Sequence, residues 1–469
     1  MTITRRALVT SGTALAAAGA LTGPALLDWA KAWAQTAPWK PESGAQLSML
    51  RWKYFVQSED DAFVALIDAF TKATGVKVNI SRESYEDVQP KASVAANTGA
   101  GPDLFWGLYS LPHLFPQKCV DVTDVAEYLG KKYGGWVPSA VTYGKSGNKW
   151  IAIPICYSGN MQNYRISSLK KAGFSKFPAT TDEYLEFAKA TKRNGTPGGM
   201  ALGHASGDGN GWVHWCLWAH GGNLVDKDDK VILNSPETAK ALEYAKQLYE
   251  NMIPGVASWN DASNNKAFLA GEIHWTDNGI SIYVAATKDP TKKEIAEDMD
   301  HAFWPIGPIG KPTELHLMYP VLAMNYTKYP QASKALIAYM LEADQFNKWI
   351  DSAQGYLTHC LNAYDSNPVW TADPKRTVFR DAAKRSLTAG GLGSVGEKAA
   401  TAIADFLVLD MFANYCTGRG RERLDRTGGA PSQTDLSLSC RARKREGSTP
   451  AARKRPPVSV TDMRSEVRP

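Results

Sequence analysis

Leu47-Ser48-Met49-Leu50-Arg51-Trp52, a helical segment over residues 61–74, and Val76-Lys77-Val78-Asn79-Ile80 together predict the fold of this chain. The first and last of these pieces are short and rich in apolar or branched residues, as strands are, and the last alternates in polarity. The segment between them places apolar residues at helical spacing, and Gly75 ends it. A strand, a helix and a second strand form a parallel βαβ unit. The sequence therefore predicts an α/β fold.

The same alternation of helices and strands continues outward from this unit. Two further strands are predicted at residues 103–106 and 150–154. Further helices are predicted at residues 85–98, 182–191, 235–251, 264–270 and 330–343. No short repeat occurs, and 469 residues are enough for two domains with cores of their own.

Seven short motifs follow one another between residues 101 and 279. They are GPDLFW at 101–106, IAIP at 151–154, NYRISSLKKAGF at 163–174, TTDEYL at 180–185, GGNLVD at 221–226, AFLAGE at 267–272 and DNG at 277–279. In this order they resemble motifs of the extracellular solute-binding proteins (family 1) of carbohydrate ABC importers. The sequence departs from that pattern at Thr181, where the family usually has tryptophan, and at Arg165 and Ile166.

The resemblance implies a fold like that of the type II periplasmic binding proteins, with two α/β lobes, a hinge and a ligand cleft between the lobes. On that template lobe one comprises residues 40–154 and 304–343, and lobe two comprises residues 155–303 and 344–416. Prolines at both predicted crossings, Pro154 among them, favour the extended backbone that a hinge needs.

The resemblance also implies a function. It implies that the chain is the substrate-binding component of a sugar ABC importer. Such a component captures a carbohydrate or polyol outside the membrane and delivers it to the permease. Closure of the two lobes around the ligand is the implied mechanism. We expect a monomer that uses no cofactor and catalyses no reaction.

The distribution of charge gives no support for a nucleic-acid partner. The net charge of +6 is carried by residues 420–469, which contain 12 Lys or Arg and 6 Asp or Glu, so residues 1–419 are formally neutral. The motifs all lie in the neutral part. A neutral body gives no support for a strongly charged ligand and does not exclude one.

A sugar presents hydroxyl groups around a ring with apolar C–H faces, so its site needs flat aromatic rings and planar hydrogen-bonding groups. The chain has 15 tryptophans, several of them close to Asn, Asp or Glu. Positions near strand ends and hinge crossings are favoured, because α/β folds bind ligands there. The predicted ligand-binding residues are Trp52, Glu59, Trp106, Tyr109, Tyr157, Asn160, Asn210, Trp212, Trp275, Asn278, Gly279 and Trp304. We expect Trp106→Ala to weaken sugar binding without unfolding the protein.

A secreted glycoside hydrolase is the alternative function. It needs two carboxylates that face each other across a cleft, and Glu59, Asp103, Glu272 and Asp277 are the residues considered. No local signature selects a pair among them. A redox enzyme is disfavoured because no cofactor motif occurs, and the six cysteines lack the short spacing of a metal site. Most cysteines are expected to be buried thiols, and a disulfide remains open.

Residues 1–34 have the features of an export signal. Thr4-Arg5-Arg6 precede an apolar, Ala-rich run, and Ala32-Trp33-Ala34 fits a cleavage site. The paired arginines favour the twin-arginine route, and an ordinary signal peptide with two chance arginines is the alternative. The mature chain is then expected to begin near Gln35 and to be a soluble periplasmic protein.

The composition changes abruptly at Gly420. Residues 420–469 contain no Phe, Trp or Tyr and are rich in Arg, Ser and Pro. Such a segment cannot build a core and is expected to be a disordered basic tail. A tail that binds nucleic acid or an anionic surface is one interpretation. We favour a C-terminus translated out of frame, because the amphipathic helical pattern stops abruptly just before it.

Overall fold

Two β-sheets organise the computed structural model, which describes residues 23–418. The strands of this part are β1 (Gln46–Trp52), β2 (Lys77–Glu83), β3 (Leu104–Trp106), β4 (Lys145–Ser146), β5 (Lys149–Trp150), β6 (Ile153–Ser158), β7 (Met161–Arg165), β8 (Trp275–Asn278), β9 (Met299–Ala302), β10 (Leu317–Ala323) and β11 (Thr358–His359). The predicted tail over 420–469 and the first 22 residues of the predicted export signal lie outside the described residues.

The first sheet has six strands in the order β11-β6-β10-β3-β1-β2 and forms the centre of lobe one. β1 pairs in parallel with β2 and with β3, so that Met49 lies opposite Ile80 on one side and Leu104 on the other. β10 runs antiparallel between β3 and β6. The parallel pairing of β1 with β2 across a connecting helix confirms the predicted βαβ unit.

The second sheet is smaller and belongs to lobe two. Its three antiparallel strands have the order β8-β7-β9, and Asn163 of β7 lies opposite Thr276 of β8 and His301 of β9. Only Gly159 and Asn160 separate β6 from β7, so the chain passes from the first sheet to the second at this point. β4 and β5 form a separate short hairpin.

Helices surround both sheets and fill the connections between the strands. The helices of the described part are α1 (Gly23–Thr36), α2 (Gln57–Thr74), α3 (Tyr85–Thr98), α4 (Thr123–Lys132), α5 (Pro138–Gly144), α6 (Ile166–Lys171), α7 (Thr181–Arg193), α8 (Asp208–Ala219), α9 (Pro236–Tyr249), α10 (Ser263–Ala270), α11 (Ser281–Lys288), α12 (Lys293–Asp298), α13 (Pro330–Met340), α14 (Ala343–Ala353), α15 (Val369–Ala372), α16 (Thr377–Arg380), α17 (Ala382–Arg385), α18 (Glu397–Ala404) and α19 (Leu407–Cys416). Short 3-10 helices lie at Leu111–Leu114, Pro116–Lys118, Val256–Ser258, Pro290–Lys292, Asn362–Ser366 and Pro374–Arg376. α2, α13 and α14 pack together in lobe one, and α8, α9 and α19 pack together in lobe two.

The TTDEYL motif has a structural role at the start of α7. The Thr180 hydroxyl accepts a hydrogen bond from the Glu183 backbone N–H at 3.3 Å. The Glu183 carboxylate in turn accepts one from the Thr180 backbone N–H at 3.2 Å. This reciprocal capping box pairs two N–H groups that the first turn of a helix leaves open. The motif therefore marks the start of a helix. The capping uses Thr180 and Glu183 and does not depend on which residue stands at position 181.

Lobe boundaries differ from the prediction in more than one place. The first crossing is predicted at Pro154, but Pro154 pairs with Pro320 inside β6, so the chain leaves the first sheet only at Gly159 and Asn160.

The resemblance assigns residues 344–416 to lobe two, but α14 packs on α2 of lobe one and β11 pairs with β6. The reason is the apolar face of α14, where Trp349 lies against Phe63 of α2 with 5.5 Å between ring centroids. α19 does pack on α8 and α9 of lobe two. The return to lobe two therefore follows β11.

Within residues 23–418 no single helix is long and apolar enough to cross a membrane. α18 and α19, bent by 49° relative to each other, pass that test of length and composition only as a pair. Their side chains Ile403, Val408, Leu409 and Phe412 are buried inside the protein. Packing in the core thus accounts for the apolar composition of this pair.

Five of the six cysteines fall within the described part, and all five are free thiols. Cys156, Cys216, Cys360 and Cys416 are buried, whereas Cys119 is half-buried. Burial raises the pKa of Cys119 and of Cys416 to about 12. Thiols with a raised pKa carry little thiolate and react slowly, so these cysteines behave as core residues.

Helix α1 packs on lobe one, although all but its last two residues belong to the predicted export signal. Trp33 is 7% exposed, and its ring meets Tyr339 edge-on at 5.0 Å between centroids. The Trp33 Nε1 donates to Glu342 at 3.2 Å, and the Tyr133 hydroxyl donates to the same carboxylate at 2.6 Å. Cleavage near Gln35, which remains a prediction, would remove the contacts of Trp33 with Tyr339 and Glu342.

We expect Trp33→Ala to lower the free energy of unfolding by about 3–5 kcal/mol, because it removes a buried indole and leaves a cavity. Chemical denaturation of protein that retains residues 23–36 measures the effect. Trp29→Ala on the same helix is the matched control, since Trp29 is only half-buried, and its effect should be smaller. An unchanged midpoint for Trp33→Ala would show that lobe one does not depend on α1.

Candidate functional site

A cavity lies between the two lobes, beside the crossing from β6 to β7. Its volume is only about 30 Å³, well below the roughly 300 Å³ at which small-molecule sites begin, so a sugar fits here only after the lobes move apart. Its wall consists of Phe55, Tyr85, Ser158, Asn160, Gly207, Asp208, Asp261, Asn278, Gly279, Ser281, Leu317 and Tyr356. Lobe one supplies the aromatic residues of the wall, and lobe two supplies both carboxylates.

Asn160 links several elements at the crossing. Its Nδ2 donates to Asp277 Oδ2 at 3.0 Å and to Asp208 Oδ1 at 3.4 Å. Its backbone carbonyl accepts a hydrogen bond from Trp304 Nε1 at 2.7 Å. Gly211 of α8 makes room for this side chain, because a Cβ there would lie 2.6 Å from Asn160 Nδ2. The amide is therefore fixed from three sides.

A buried chain of polar groups also holds the backbone of Asn160. The Asn160 N–H donates to His316 Nδ1 at 3.0 Å, and His316 Nε2 lies 2.9 Å from Glu314 Oε2. Arg385 donates to the other oxygen of Glu314 at 2.5 Å. Because Nδ1 accepts, the proton of a neutral His316 is on Nε2 and points at Glu314. This row of polar groups, His316, Glu314 and Arg385, positions Asn160 and does not itself line the cavity.

The two carboxylates of the wall meet at the start of α8. Asp261 Oδ1 accepts hydrogen bonds from the backbone N–H groups of Gly207 at 2.9 Å and Asp208 at 2.8 Å. Asn264 Nδ2 donates to Asp208 Oδ2 at 2.9 Å and to the backbone carbonyl of Asp277 at 2.8 Å. The N–H groups at a helix start carry partial positive charge, which favours a carboxylate there. The start of α8 therefore orients both acids.

Lobe one faces these acids with aromatic side chains. The rings of Phe55 and Tyr85 stack with 5.3 Å between their centroids. The Tyr85 hydroxyl lies 2.6 Å from that of Tyr319 and 2.8 Å from that of Tyr356. Flat apolar surface next to hydroxyl groups suits a ligand that has both C–H faces and polar groups.

Gly279 allows the lobes to approach closely. A Cβ at this position would lie 3.2 Å from Ser158 Oγ and 3.5 Å from the ring of Tyr356, both in lobe one. A larger residue would press against these groups. The preceding Asn278 is fixed by Ser281, whose hydroxyl donates to its side-chain oxygen at 3.2 Å.

Burial disfavours ionisation of the acids in this region. It raises the pKa of Asp277 to about 8 and that of Asp261 to about 6. It also raises the pKa of Asp208, and the charges of Asp261 and Asp277 add to that effect. Hydrogen bonds from Asn160 to Asp277 and from Asn264 to Asp208 act in the opposite direction. The ligand-free site therefore holds protons at neutral pH.

We expect Asp277→Asn to gain stability relative to the wild type as the pH rises from about 4 to about 8. The unfolded chain ionises Asp277 above its ordinary pKa of 3.8, whereas the folded protein keeps the proton up to about 8, so rising pH favours unfolding of the wild type. The amide cannot ionise and escapes this loss. Urea denaturation of the ligand-free proteins across this window measures the difference, which should level off above pH 8. A difference that does not vary with pH would contradict the raised pKa.

The arrangement of two lobes around a buried site matches a known family. The family model of the bacterial extracellular solute-binding proteins matches residues 65–378. The chain belongs to this family. A protein of Deinococcus radiodurans named as a probable ABC transporter-binding protein is 24% identical over 344 residues, which cover 69% of this chain and 80% of that one. The family predicted from the seven motifs is confirmed.

Solved structures share the fold of this solute-binding protein. Maltose-bound MalE3 of T. maritima has a TM-score of 0.68 at 20% identity, and the match covers 80% of this chain and 95% of that one. A sugar transporter protein from Arthrobacter chlorophenolicus with bound laminaribiose has a TM-score of 0.67 at 18% identity, covering 80% and 95%. A solute-binding protein from Agrobacterium radiobacter in complex with ribitol has a TM-score of 0.67 at 17% identity, covering 81% and 95%. These matches confirm the predicted type II fold.

Three of the predicted ligand-binding residues of this solute-binding protein line the cavity, namely Asn160, Asn278 and Gly279. Tyr109 lies close to them, and its hydroxyl donates to the backbone carbonyl of Gly207 at 3.4 Å. Asn278 ends β8, and the other three residues lie just after a strand, which is the signal that selected them. Their contact with a ligand remains a prediction.

Trp52, Glu59 and Trp106 lie in the core of lobe one and not in the cavity wall. Each is at most 1% exposed. The guanidinium of Arg51 lies 4.8 Å from the ring centroids of both tryptophans and pairs with Glu59. Trp106 is therefore placed in the core and not in the ligand site, contrary to the sequence-based expectation. Trp106→Ala opens a cavity beside Arg51, so its direct effect is on the stability of lobe one.

The remaining predicted residues bond to other protein groups and do not line the cavity of the described part. Their partners are Ser139 for Tyr157, Ser206 for Asn210, Ala201 for Trp212, Thr191 for Trp275 and Asn160 for Trp304. Buried indole and phenol groups usually find such partners. Trp304 still bears on the site, since it holds the backbone carbonyl of Asn160.

Several wall residues were not predicted from the sequence. They are Phe55, Tyr85, Ser158, Gly207, Asp208, Asp261, Ser281, Leu317 and Tyr356. Asp208 offered a usable signal, because it starts a helix directly after a Gly-rich turn. Asp261 and Tyr356 lie in loops without a motif, so only the tertiary structure brings them to the cavity.

Proposed function

We propose that this solute-binding protein is the substrate-binding component of a sugar ABC importer and captures a carbohydrate or polyol between its lobes. The observation that carries the proposal is the wall of the cavity, where aromatic rings of lobe one face carboxylate and amide groups of lobe two. C–H faces pack on Phe55, Tyr85 and Tyr356, and hydroxyl groups donate to Asn160 and Asp261.

The ligands of proteins with this fold support the proposal. The proteins of T. maritima, Arthrobacter chlorophenolicus and Agrobacterium radiobacter hold maltose, laminaribiose and ribitol, respectively. All three compounds are uncharged and carry many hydroxyl groups. A ligand of this class has the chemistry that the cavity wall complements.

Closure of the lobes is the proposed mechanism. Ser158 and Tyr356 of lobe one meet Gly279 of lobe two at the cavity, so each lobe supplies only part of the wall. A ligand that contacts both parts binds the closed form more tightly than the open form and shifts the population toward it. The closed protein then docks on the permease.

The ligand leaves the site chemically unchanged in this proposal. Of the acids considered for a hydrolase, Glu59 pairs with Arg51 in the core, and Asp103 accepts a hydrogen bond from the Ser48 N–H at 2.8 Å. Glu272 is exposed. Of these four, only Asp277 lies beside the cavity. The two carboxylates of the wall, Asp208 and Asp261, both lie at the start of α8 on lobe two, whereas a glycoside hydrolase needs a pair that faces each other across the ligand.

We further propose that the protein is a periplasmic monomer exported by the twin-arginine route. The family consists of extracellular proteins, and Arg5-Arg6 lies in a typical position for this signal.

For the C-terminus we propose an out-of-frame origin of residues 420–469. Resequencing the coding region tests that point, and an intact frame would contradict it.

Thermal unfolding of the purified full chain with a panel of sugars and polyols tests the proposed function. A compound that binds only the native state raises the melting temperature in proportion to the logarithm of its concentration above Kd. We expect a shift of several degrees with one class of compound. No shift with any sugar or polyol would contradict the proposal.

A further inference from the structure

The cavity carries buried acids without a basic partner. Asp208 and Asp261 line it, and Asp277 lies directly behind Asn160. No Lys, Arg or His lines this cavity in the part of the chain that the structure describes. None of the ion pairs formed within residues 23–418 includes any of these three acids. The local charge is therefore negative whenever they ionise.

Three side-chain oxygens at this place lack a hydrogen-bond partner within residues 23–418. Asp261 Oδ2, Asp277 Oδ1 and Asn160 Oδ1 are buried and accept no hydrogen bond from another described residue. Asp261 and Asn160 are 7% and 4% exposed, and both belong to the cavity wall. Buried acceptors without a donor cost free energy, more so when charged. A ligand that supplies donors and positive charge removes both costs.

An ammonium group supplies both. It offers three donors, no acceptor and one positive charge, whereas a hydroxyl group offers one donor, two lone pairs and no charge. The aromatic rings of Phe55, Tyr85 and Tyr356 complete the wall, and the faces of such rings attract cations. A metal ion fits less well, because no group of three or more His, Cys, Asp or Glu side chains in residues 23–418 is arranged to hold one.

We propose that the ligand is an amine-bearing sugar or polyol, with its ammonium group between Asp261 Oδ2 and Asn160 Oδ1. This inference rests on the proposed function and narrows its ligand class. The remaining hydroxyl groups lie toward Ser158 and Ser281, and the carbon skeleton packs on the aromatic rings of lobe one.

The electrostatics of the cavity are consistent with this ligand. The charge of Glu86, which comes from lobe one, adds to burial in raising the pKa of Asp261 to about 6. Two N–H groups at the start of α8 stabilise its carboxylate. A cation between the lobes would favour the ionised form further, because opposite charges attract strongly where water is excluded.

Titration calorimetry of the full chain with matched compounds tests the inference. The pairs are D-glucosamine with D-glucose, D-galactosamine with D-galactose, and glucamine with D-glucitol, each differing by one ammonium group in place of a hydroxyl. We expect the amine of at least one pair to bind at least tenfold more tightly at pH 7. Equal or tighter binding of the neutral members overturns the inference and leaves the proposed function intact. If no member binds while another sugar does, the inference is also overturned.

Asp261→Asn identifies the group responsible. The amide retains an oxygen that can accept from the start of α8 but carries no charge, so the amine-to-hydroxyl affinity ratio should fall from at least ten to about one. Glu127→Gln is the matched control, because Glu127 is exposed on α4 and the change in net charge is the same. An unchanged ratio in Asp261→Asn would overturn the assignment. The comparison of paired compounds on the wild type stands even if this variant does not fold.

Discussion

Arg51→Met is expected to lower the free energy of unfolding by about 3–5 kcal/mol. Arg51 is fully buried, pairs with Glu59, and lies 3.3 Å from Asp60 through Nη1. Its guanidinium also lies 4.1 Å from the ring centroid of Phe63. Removal of the cation leaves Glu59 charged in the core without its counter-ion, and such a charge costs much more than the pair contributes. Urea denaturation of the full chain measures the loss.

Arg82→Met is the control for this change. Arg82 also pairs with Asp60, at 3.0 Å, but its side chain is 28% exposed. Water compensates for the lost partner, so we expect a loss of about 1 kcal/mol or less. If Arg51→Met cost no more than Arg82→Met, the buried cluster around Arg51 would not stabilise lobe one as described.

Asn160→Ala is expected to weaken ligand binding by about 30–100-fold, or about 2–3 kcal/mol. The change removes the donor to Asp208 and Asp277 and leaves both acids with one partner fewer. It also removes a polar group from the cavity wall. Titration calorimetry with the compound that gives the largest thermal shift measures the affinity.

Asn194→Ala serves as the matched control for Asn160→Ala. Asn194 is the C-cap residue directly after α7. Its Nδ2 donates to the Lys171 carbonyl at 3.1 Å, at a partly exposed position that does not line the cavity. The same side-chain truncation there should leave the affinity within twofold of the wild type. An equal loss in both variants would point to a general effect on the fold, and no loss in Asn160→Ala would remove Asn160 from the site.

The sequence pattern was sufficient for the α/β class because the signals for it are local, whereas the two-lobe fold follows from the resemblance carried by the seven motifs. Residues 47–80 show strand, helix and strand periodicity in succession, and the structure pairs β1 with β2 as that pattern requires. The first crossing was predicted a few residues too early, at Pro154, because nothing in the sequence shows that β6 continues to Ser158 before the chain crosses at Gly159 and Asn160. The placement of α14 was not predictable either, because its packing on α2 depends on contacts between residues far apart in the chain.

The candidate site was only partly predictable. A tryptophan at a strand end can face the cleft or the core, and the sequence does not tell the two apart. Trp52 and Trp106 face inward, where both rings lie 4.8 Å from the guanidinium of Arg51, which pairs with Glu59. Asp208 and Asp261 meet only through the fold, where the start of α8 binds the Asp261 carboxylate.

The most direct test of the central claim is titration calorimetry of the purified full chain with the sugar or polyol selected by thermal shift, followed by mass analysis of the recovered compound. Reversible binding of one molecule per chain, with the compound recovered unchanged, is the predicted result. A compound recovered in cleaved form, or the absence of saturable binding by every sugar and polyol, would contradict it.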